Sequence, residues 1–327
     1  MRVAIHKTIG QPNQVLSIEQ VESPTIQAGE VKLGMILSTI HNHDLMQISG
    51  TYGVQPALPA RAGTEAVARI LEIGEGVTHL QVGQRVTVAG NFGTWADEIV
   101  APAHIVLPVP EEISDELAAQ LLSMPMSAML ILDDLGVSHG QWMILNAAAG
   151  AVGKNLIMLA KARGIKVIGL VNHEEDAQTL SQLDIDVVEN TSLDGWQARI
   201  QEHLNGESVQ YGLDSVGGRL AGEMLNIMSD HALLVSFGAL SNQPLNIDFQ
   251  DVIFKQATVR GFWGAPRMQA LDDEHKIKMI SEILSIAAQG QLKLPVAAIY
   301  DLQDVATAVS EIRNYRNGKV LLRGSTT

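Results

Sequence analysis

The spacing of hydrophobic residues changes along the chain. Over residues 1 to about 115, short runs of Val, Ile and Leu such as 31–40, 66–73 and 85–89 are separated by Gly and Pro at close intervals. Short apolar runs broken by turn residues are typical of antiparallel strands. This part of the chain is therefore predicted to form a small β-rich sheet or barrel.

From about residue 116 to 262 the pattern alternates between strands and helices. A buried strand is predicted at 143–145, followed by a helix in which Val152, Leu156 and Leu159 recur at i, i+4 and i+7. The further strands predicted are 167–171, 185–188, 211–213 and 233–237. Strands alternating with helices in this way predict an α/β fold with a doubly wound parallel sheet.

The C-terminal part mixes the two patterns. Its predicted elements are a helix at 272–289, a strand at 296–299, a helix at 301–315 and a strand at 319–322. We therefore predict two domains, a β-rich domain of residues 1–115 plus 265–327 and a doubly wound domain of residues 116–264.

Charge and composition exclude several classes of function. The 327 residues include 36 acidic and 22 basic side chains, for a net charge of −14, which disfavours binding to nucleic acid or to anionic membranes. Cysteine is absent, which excludes disulfides, thiolate catalysis and zinc sites built on sulfur. The most apolar stretch, 118–132, is too short and interrupted to span a bilayer, and a strand pattern follows Met1 directly. A cytoplasmic protein is expected.

A glycine turn follows the strand predicted at 143–145. Ala148, Gly150 and Gly153 occupy the three positions of the dinucleotide-binding fingerprint, with alanine at the first of them. Gly150 would let the backbone approach a pyrophosphate, and Gly153 would let the helix pack closely on the strand. The alternative is an ordinary turn in a βαβ unit. The flanking strands and helix favour the dinucleotide site.

The end of the second strand leaves the choice of nucleotide open. An acid there would bind the ribose hydroxyls of NAD, and a basic residue would bind the 2′-phosphate of NADP. Asn172 and His173 fit neither pattern, and the carboxylates of Glu174, Glu175 and Asp176 are equally those of a solvated first helical turn.

With these features, the chain resembles the medium-chain dehydrogenase/reductase superfamily over essentially its whole length. Gly63-Thr64-Glu65 stands where zinc-dependent alcohol dehydrogenases carry Gly-His-Glu, and residues 83–86 match the Gly-x-x-Val turn that follows. The cysteine-rich zinc loop is missing, so the chain is most similar to the zinc-free, quinone-reductase-like branch. This resemblance implies a Rossmann domain inserted into a GroES-like catalytic domain, no zinc, and a homodimer.

Within that branch, several motifs are most similar to those of 2-enoyl thioester reductases. They are Gly-Thr-Tyr-Gly at 50–53, Gly-Thr-Trp at 93–95, Asp-Ser-Val-Gly-Gly at 214–218, Phe-Lys at 254–255 and Arg-Gly-Phe-Trp at 260–263. The resemblance implies hydride transfer from NAD(P)H to an activated C=C bond of a 2-enoyl thioester. Reduction of quinones or small enones is the alternative.

The resemblance also implies the roles of individual residues. It identifies Tyr52 as the proton donor. The cofactor-binding residues that it implies are Gly150, Ala151, Val152 and Gly153 at the pyrophosphate; Asn172, His173 and Glu174 at the adenosine ribose; Phe237, Gly238, Ala239, Leu240, Phe262, Trp263 and Gly264 on the nicotinamide side; and Lys319. Two departures matter, because the family has a basic residue in place of Asn172 and an asparagine in place of Met124. The family implies NADP(H), and the departure at Asn172 leaves NAD(H) open.

The chemistry explains why a tyrosine would be needed. Hydride added to the β-carbon of an activated alkene leaves negative charge on an enolate oxygen and on the α-carbon, and a phenol is protonated at neutral pH and can donate to either. Tyr52 lies in a glycine-flanked loop that could present such a group. A loop tyrosine more often serves packing, and only the family motif favours catalysis.

Other combinations of residues have simpler explanations. His41, His43 and Glu65 are residue types that bind zinc, but cysteine is absent and Thr64 stands in place of histidine. The two histidines are therefore expected to be polar lining of a cleft or ordinary hydrogen-bonded residues. Ser127 lacks the glycines of a nucleophile elbow. A nucleotide-binding protein without turnover is the second class of function, and the presence of Tyr52 and Lys319 favours an enzyme instead.

Overall fold

The computed structural model describes residues 1–315 and 317–325. Its strands are β1 (Arg2–His6), β2 (Leu16–Gln20), β3 (Glu30–Thr39), β4 (Ala60–Arg61), β5 (Glu65–Ile73), β6 (Arg85–Ala89), β7 (Glu98–Pro102), β8 (Val106–Pro108), β9 (Trp142–Leu145), β10 (Lys166–Val171), β11 (Val187–Asn190), β12 (Val209–Asp214), β13 (Leu233–Ser236), β14 (Thr258–Gly261), β15 (Val296–Asp301) and β16 (Lys319–Arg323).

Helices fill most of the connections. They are α1 (Pro12–Val15), α2 (Asn42–Ile48), α3 (Asp115–Ala118), α4 (Ser123–Leu135), α5 (Ala151–Ala162), α6 (Glu174–Leu180), α7 (Trp196–Leu204), α8 (Gly218–Ile227), α9 (Phe249–Phe254), α10 (Gly264–Ala270), α11 (Asp273–Ala288) and α12 (Val305–Glu311). Short 3₁₀ turns lie at Ala103–Ile105, Ser181–Leu183, Leu302–Asp304 and Ile312–Asn314.

The chain divides into two compact units. Unit 1 contains Met1–Ser123 and the C-terminal segment from Lys293, and unit 2 contains Met124–Leu292. The predicted boundaries followed residues 115 and 264. Residues 265–292 instead belong with unit 2, because α11 buries Met279 and Ile283, and its Glu282 accepts a hydrogen bond of 2.8 Å from Arg163 of the same unit. The sequence could not assign this helix, since an amphipathic helix fits either unit.

The strand pairs of unit 1 are antiparallel, except that β15 and β16 run parallel. Its larger sheet has the strand order β15-β16-β3-β5-β6-β8, with β7 also paired to β3, and a smaller sheet has the order β2-β1-β4. The sheets contribute to a core that includes Leu33, Met35, Ile70 and Trp95, all fully buried. Strand β7 alternates buried and half-buried positions, whereas β6 is buried at its first four positions. These sheets agree with the predicted β-rich fold.

Unit 2 contains a six-stranded sheet of order β11-β10-β9-β12-β13-β14, and every pairing in it is parallel. The central β9 is buried at all four positions, as expected for a strand with helices on both faces. The carboxyl ends of parallel strands meet at one edge, and the strand order reverses between β9 and β12. Ligands of doubly wound sheets bind at this switch point. The predicted Rossmann-type α/β fold is confirmed.

Two predicted elements differ from the structure. The helix expected at 301–315 is shorter, because β15 extends to Asp301, whose carboxylate accepts the N–H of Gln303 and starts a 3₁₀ turn before α12. The strand expected at 185–188 begins later, at Val187, because Asp184 adopts a left-handed conformation and Asp186 turns its carboxylate to the Val167 N–H.

Within residues 1–315 and 317–325, no helix combines the length and the apolar character needed to cross a bilayer.

Candidate active site

The predicted fingerprint forms a tight turn between β9 and α5 in unit 2. Gly150 is the residue before the helix, and Ala151, Val152 and Gly153 form its first turn, where backbone N–H groups have no partner within the helix. A Cβ atom on Gly153 would lie 2.5 Å from the carbonyl oxygen of Ala148, so only glycine allows this approach. The turn offers N–H groups and partial positive charge to a phosphate.

Ala147 carries the conformational cost of this turn. It adopts a φ of +48°, in the left-handed region that glycine favours. The turn therefore holds an alanine in a backbone conformation that favours glycine.

A buried carboxylate joins the strands on either side of the switch point. Asp214, at the end of β12, is fully buried and accepts a hydrogen bond of 2.6 Å from the side-chain amide of Asn146, which follows β9. Asn146 in turn accepts the N–H of Ser215 at 2.7 Å, and Asp214 accepts the N–H of Gly217 at 2.9 Å. Sequence reasoning missed this network, although the Asp-Ser-Val-Gly-Gly motif contained its signal.

The two segments predicted for the nicotinamide side meet at the same edge. Phe237 follows β13 and Phe262 follows β14, and their ring centroids are 6.1 Å apart. The Phe237 N–H donates to the Asp214 carbonyl at 2.7 Å, which fixes the start of the loop 237–240. Trp263 is 52% exposed and Leu240 is 69% exposed, so apolar surface is available to a ligand here.

The residues predicted for the adenosine ribose follow β10. Asn172 and His173 are exposed, His173 precedes α6, and Glu174 is the first residue of that helix. This is the place at which doubly wound sheets present their ribose-binding residue. With the fingerprint turn and the aromatic pair, the edge fits a nicotinamide dinucleotide.

Unit 1 holds a second polar site, in which α2 meets the start of β5. We call it the α2 cluster, made of His41, His43, Asp44, Thr64 and Glu65. His41 Nε2 lies 2.6 Å from Glu65 Oε2, and both side chains are fully buried. The other carboxylate oxygen of Glu65 accepts the backbone N–H groups of Leu122 and Ser123 at 2.7 and 3.0 Å.

Burial controls the protonation of this pair. It raises the pKa of Glu65 to about 6, against the opposing effect of the two backbone N–H donors. Burial, reinforced by the positive charge of Lys319, holds the pKa of His41 well below its usual range. His41 is therefore neutral, and we assign the proton to Nε2, which donates to Glu65.

The rest of the α2 cluster is a hydrogen-bonded chain. Asp44 Oδ2 accepts the His41 N–H at 2.8 Å and so caps α2, while Asp44 Oδ1 accepts the Thr64 hydroxyl at 2.7 Å. The Thr64 oxygen also lies 2.7 Å from His43 Nε2. His41 and His43 are hydrogen-bonded, which is one of the two expectations for them, whereas sequence reasoning missed Asp44.

Tyr52 lies in the segment that follows α2. Its N–H donates to the Met46 carbonyl at the end of that helix at 3.2 Å, and its half-buried ring lies 5.9 Å from the ring of His43. The structure thus brings Tyr52 next to the α2 cluster. Its role in proton donation stays a prediction.

Lys319 begins β16 in unit 1, whereas the other predicted cofactor residues lie in unit 2. Burial lowers the pKa of the Lys319 ammonium, and the negative charges of Asp44 and Glu65 oppose that shift. The structure therefore relates Lys319 to the α2 cluster, and its contact with a cofactor stays a prediction.

The side chains of the described residues do not form a metal site of three ligands. Over that part of the chain, no group of three His, Asp or Glu side chains is arranged to hold a metal ion. His41 Nε2 is bonded to Glu65, and Thr64 stands where the family's zinc enzymes carry histidine. Zinc independence stays a prediction.

Comparison with known proteins agrees with this geometry. Residues 27–111 match the model of the alcohol dehydrogenase GroES-like domain, and residues 151–278 match that of the zinc-binding dehydrogenase. The mitochondrial enoyl-[acyl-carrier-protein] reductase of Xenopus tropicalis is 30% identical over 95% of this chain and 91% of its own, and the human protein of that name is 28% identical over 94% and 84%.

A solved structure is similar over the same extent. The crystal structure of Escherichia coli quinone oxidoreductase complexed with NADPH superposes with a TM-score of 0.87 and 25% identity, covering 99% of this chain and 100% of that one. The family expected from the motifs is confirmed: the chain belongs to the medium-chain dehydrogenase/reductase superfamily, an oxidoreductase family, and within it to the quinone-reductase-like branch.

Proposed function

We propose that this protein uses NADPH to reduce the activated C=C bond of a 2-enoyl thioester, with Tyr52 as the proton donor. The observation that carries the proposal is the position of Tyr52 beside a buried, hydrogen-bonded cluster in unit 1, while unit 2 carries a turn that fits a dinucleotide. Similarity to enoyl-[acyl-carrier-protein] reductases over nearly the whole chain supports the choice of substrate.

The proposed cofactor residues act through backbone groups and aromatic faces. Residues 150–153 would hold the pyrophosphate at the N-terminus of α5, residues 172–174 the adenosine ribose, and residues 237–240 and 262–264 the nicotinamide, with Lys319 completing the set. When bound, the nucleotide supplies the hydride. The E. coli relative in complex with NADPH supports NADPH over NADH.

The protein's own chemical contribution is the proton. Hydride addition at the β-carbon leaves an enolate, and the O–H bond of Tyr52 breaks as a C–H bond forms at the α-carbon. A fixed phenol donates in the transition state, so its removal is expected to lower turnover more than substrate binding.

Replacing Tyr52 with Phe tests this role. Because the ring is kept, NADPH affinity and folding should barely change, while kcat with a crotonyl thioester should fall by ~10²–10⁴, toward the lower end if water replaces the donor. Tyr211→Phe, at a half-buried tyrosine of β12, is the matched control. Turnover of Tyr52→Phe within a factor of three of wild type would show that another group donates the proton.

Reduction of quinones or small enones is the alternative, supported by similarity to the E. coli quinone oxidoreductase. The two functions differ in their dependence on Tyr52, since solvent can protonate a quinone's oxygens after hydride transfer. Tyr52→Phe should therefore slow quinone reduction less than enoyl reduction. Equal losses on both substrates would contradict this division.

We further propose that the protein is a homodimer joined through unit 2. The edge strand β14 pairs only with β13 among the described residues, and the preceding α9 exposes Phe249, Ile253 and Phe254, the last of them 73% exposed. Unpaired strand edges and exposed apolar side chains are features of association surfaces. Sedimentation should give twice the 35.2 kDa chain mass, and Phe254→Glu should shift it toward monomer. A monomeric wild type would contradict this.

We propose that the protein acts on a small-molecule substrate in the cytoplasm. The net charge of −14 argues against nucleic acid and anionic membrane surfaces as partners. The two enoyl-[acyl-carrier-protein] reductases described above are named as mitochondrial, so cell fractionation is the relevant test. Recovery in an organelle fraction would contradict the cytoplasmic location.

A further inference from the structure

The hydrogen-bond chain of the α2 cluster has a fixed direction. The Thr64 hydroxyl has one proton, which it donates to Asp44 Oδ1, so its oxygen must accept at the 2.7 Å contact with His43 Nε2. His43 therefore keeps a proton on Nε2. Asp44 Oδ1 also lies 3.5 Å from that nitrogen. The nitrogen at which His43 can gain and lose a proton is Nδ1.

His43 occupies the space between a buried histidine and Tyr52. Its ring stacks on that of His41 with centroids 4.9 Å apart, and the Tyr52 ring lies 5.9 Å away on a tilt of 36°. The His43 side chain is 23% exposed, whereas that of His41 is fully buried and bonded to Glu65. Of these two histidines, His43 is the one with access to both water and Tyr52.

The proton that Tyr52 gives up has to be replaced. The cluster that Tyr52 borders through His43 holds the carboxyl groups of Asp44 and Glu65, with the ammonium of Lys319 acting on both. A phenol that has given up its proton must regain one before the next turnover. A proton supplied as the first one leaves meets that need.

We propose that His43 is a proton relay for Tyr52, oriented by Thr64 and Asp44. This inference rests on the proposed role of Tyr52. As the Tyr52 O–H proton passes to the substrate α-carbon, the Nδ1–H bond of protonated His43 breaks and a new O–H bond forms on Tyr52. Tyr52 ends the step as a phenol and His43 as a neutral imidazole, with Nε2–H still donating to Thr64. Water then returns a proton to Nδ1. His43 acts through Tyr52 and is therefore a positioning residue.

Substitutions at His43 separate proton relay from hydrogen bonding. His43→Gln keeps an N–H donor for Thr64 but cannot pass a proton, whereas His43→Ala leaves space for an added imidazole. Each should lower kcat with crotonyl thioester by roughly 10²-fold, with NADPH affinity unchanged. Imidazole in the buffer should restore turnover of His43→Ala in a saturable way and should not restore His43→Gln or Tyr52→Phe. His104→Ala, at an exposed histidine of unit 1, is the matched control.

The Thr64 hydroxyl, which links Asp44 to His43, allows a second measurement. Thr64→Val removes the link between Asp44 and His43 at nearly constant volume, and it should slow the same step, whereas Thr64→Ser should keep wild-type turnover. Thermal unfolding midpoints of all variants identify any loss that comes from misfolding. This pair keeps the test valid if His43→Ala does not fold.

The outcomes distinguish the relay from the function on which it rests. The relay is supported if His43→Gln turns over slowly and if added imidazole restores the turnover of His43→Ala. A His43→Gln enzyme within a factor of three of wild type, or an Ala variant that imidazole does not restore, overturns it. If Tyr52→Phe is slow in that case, only the relay is wrong. If Tyr52→Phe itself turns over normally, the proposed donor is wrong and the relay with it.

Discussion

The polar sites of the two units consist of different chemical groups, backbone groups in unit 2 and side chains in unit 1. In unit 2, the candidate pyrophosphate site consists of backbone N–H groups and of glycines that allow close approach, all within one short segment between β9 and α5. In unit 1, the α2 cluster consists of side chains from α2 and β5, with Tyr52 and Lys319 beside it, brought together by antiparallel pairing. The backbone site is therefore determined by the local sequence, whereas the side-chain network is determined by the tertiary fold.

The largest expected effect on cofactor binding concerns the backbone site. Gly153→Ala adds one methyl group 2.5 Å from the Ala148 carbonyl oxygen, and the backbone must shift to accept it. Overpacking of this kind costs about 1–3 kcal/mol, so NADPH affinity should fall by roughly tenfold to a hundredfold. Titration of nucleotide fluorescence measures this loss.

Gly261→Ala is the control for Gly153→Ala. A Cβ atom at Gly261 meets no atom within 4 Å, so the same methyl group should leave NADPH affinity unchanged. Equal affinities of wild type and Gly153→Ala would show that the turn is not where the pyrophosphate binds.

The next effect concerns the side-chain site and depends on pH. The folded-state pKa of Glu65 is raised by burial from 4.5 to about 6, so its contribution to stability is complete below about pH 4.5 and is lost as pH rises through about 6. At pH 7 the buried carboxylate costs about 2 kcal/mol relative to pH 4.5. The Glu65→Gln variant lacks this titration, so its stability relative to wild type should rise by about that amount between pH 4.5 and 7.

Urea unfolding at several pH values measures the effect of Glu65→Gln. Glu112→Gln, at an exposed acid of the same unit, should follow the wild-type stability at every pH. Parallel stability curves for Glu65→Gln and wild type would mean that Glu65 is not held in a raised-pKa environment.

A smaller effect is expected for nucleotide preference. Asn172 is uncharged, and a dedicated charged contact to the 2′-phosphate would contribute ~1.5–3 kcal/mol. NADPH should therefore bind only about tenfold more tightly than NADH, and Asn172→Arg should widen that ratio by at least another factor of about ten. Calorimetric titration of both nucleotides gives the ratio. A thousandfold preference in the wild type would reveal a phosphate site elsewhere.

Metal removal should have the smallest effect of all. His41 is already bonded to Glu65, and Thr64 is not a histidine, so purified protein should contain far less than one zinc per chain and should keep its turnover in a chelator. Elemental analysis is the measurement. One zinc per chain, with turnover lost on chelation, would contradict the assignment of this site.

The difference between the two units explains which parts of the structure could be predicted from the sequence. The fingerprint turn, the parallel sheet and the place of residues 172–174 follow from periodicity and from a contiguous motif. The link between Asp214 and Asn146 does not, because it joins residues 68 apart in sequence. The pairing of His41 with Glu65 is similar, since the register of β3 against β5 decides which side chains face each other.

The reaction itself is tested most directly by following the hydride. NADPH deuterated at the transferred position is incubated with crotonyl thioester in ordinary water, and the product is analysed by mass spectrometry and NMR, with a simple quinone and a small enone assayed in parallel. We predict that the product is a saturated thioester that carries one deuterium at the β-carbon and a solvent-derived proton at the α-carbon. Unchanged thioester, with nucleotide consumed only by the quinone or the enone, would contradict it.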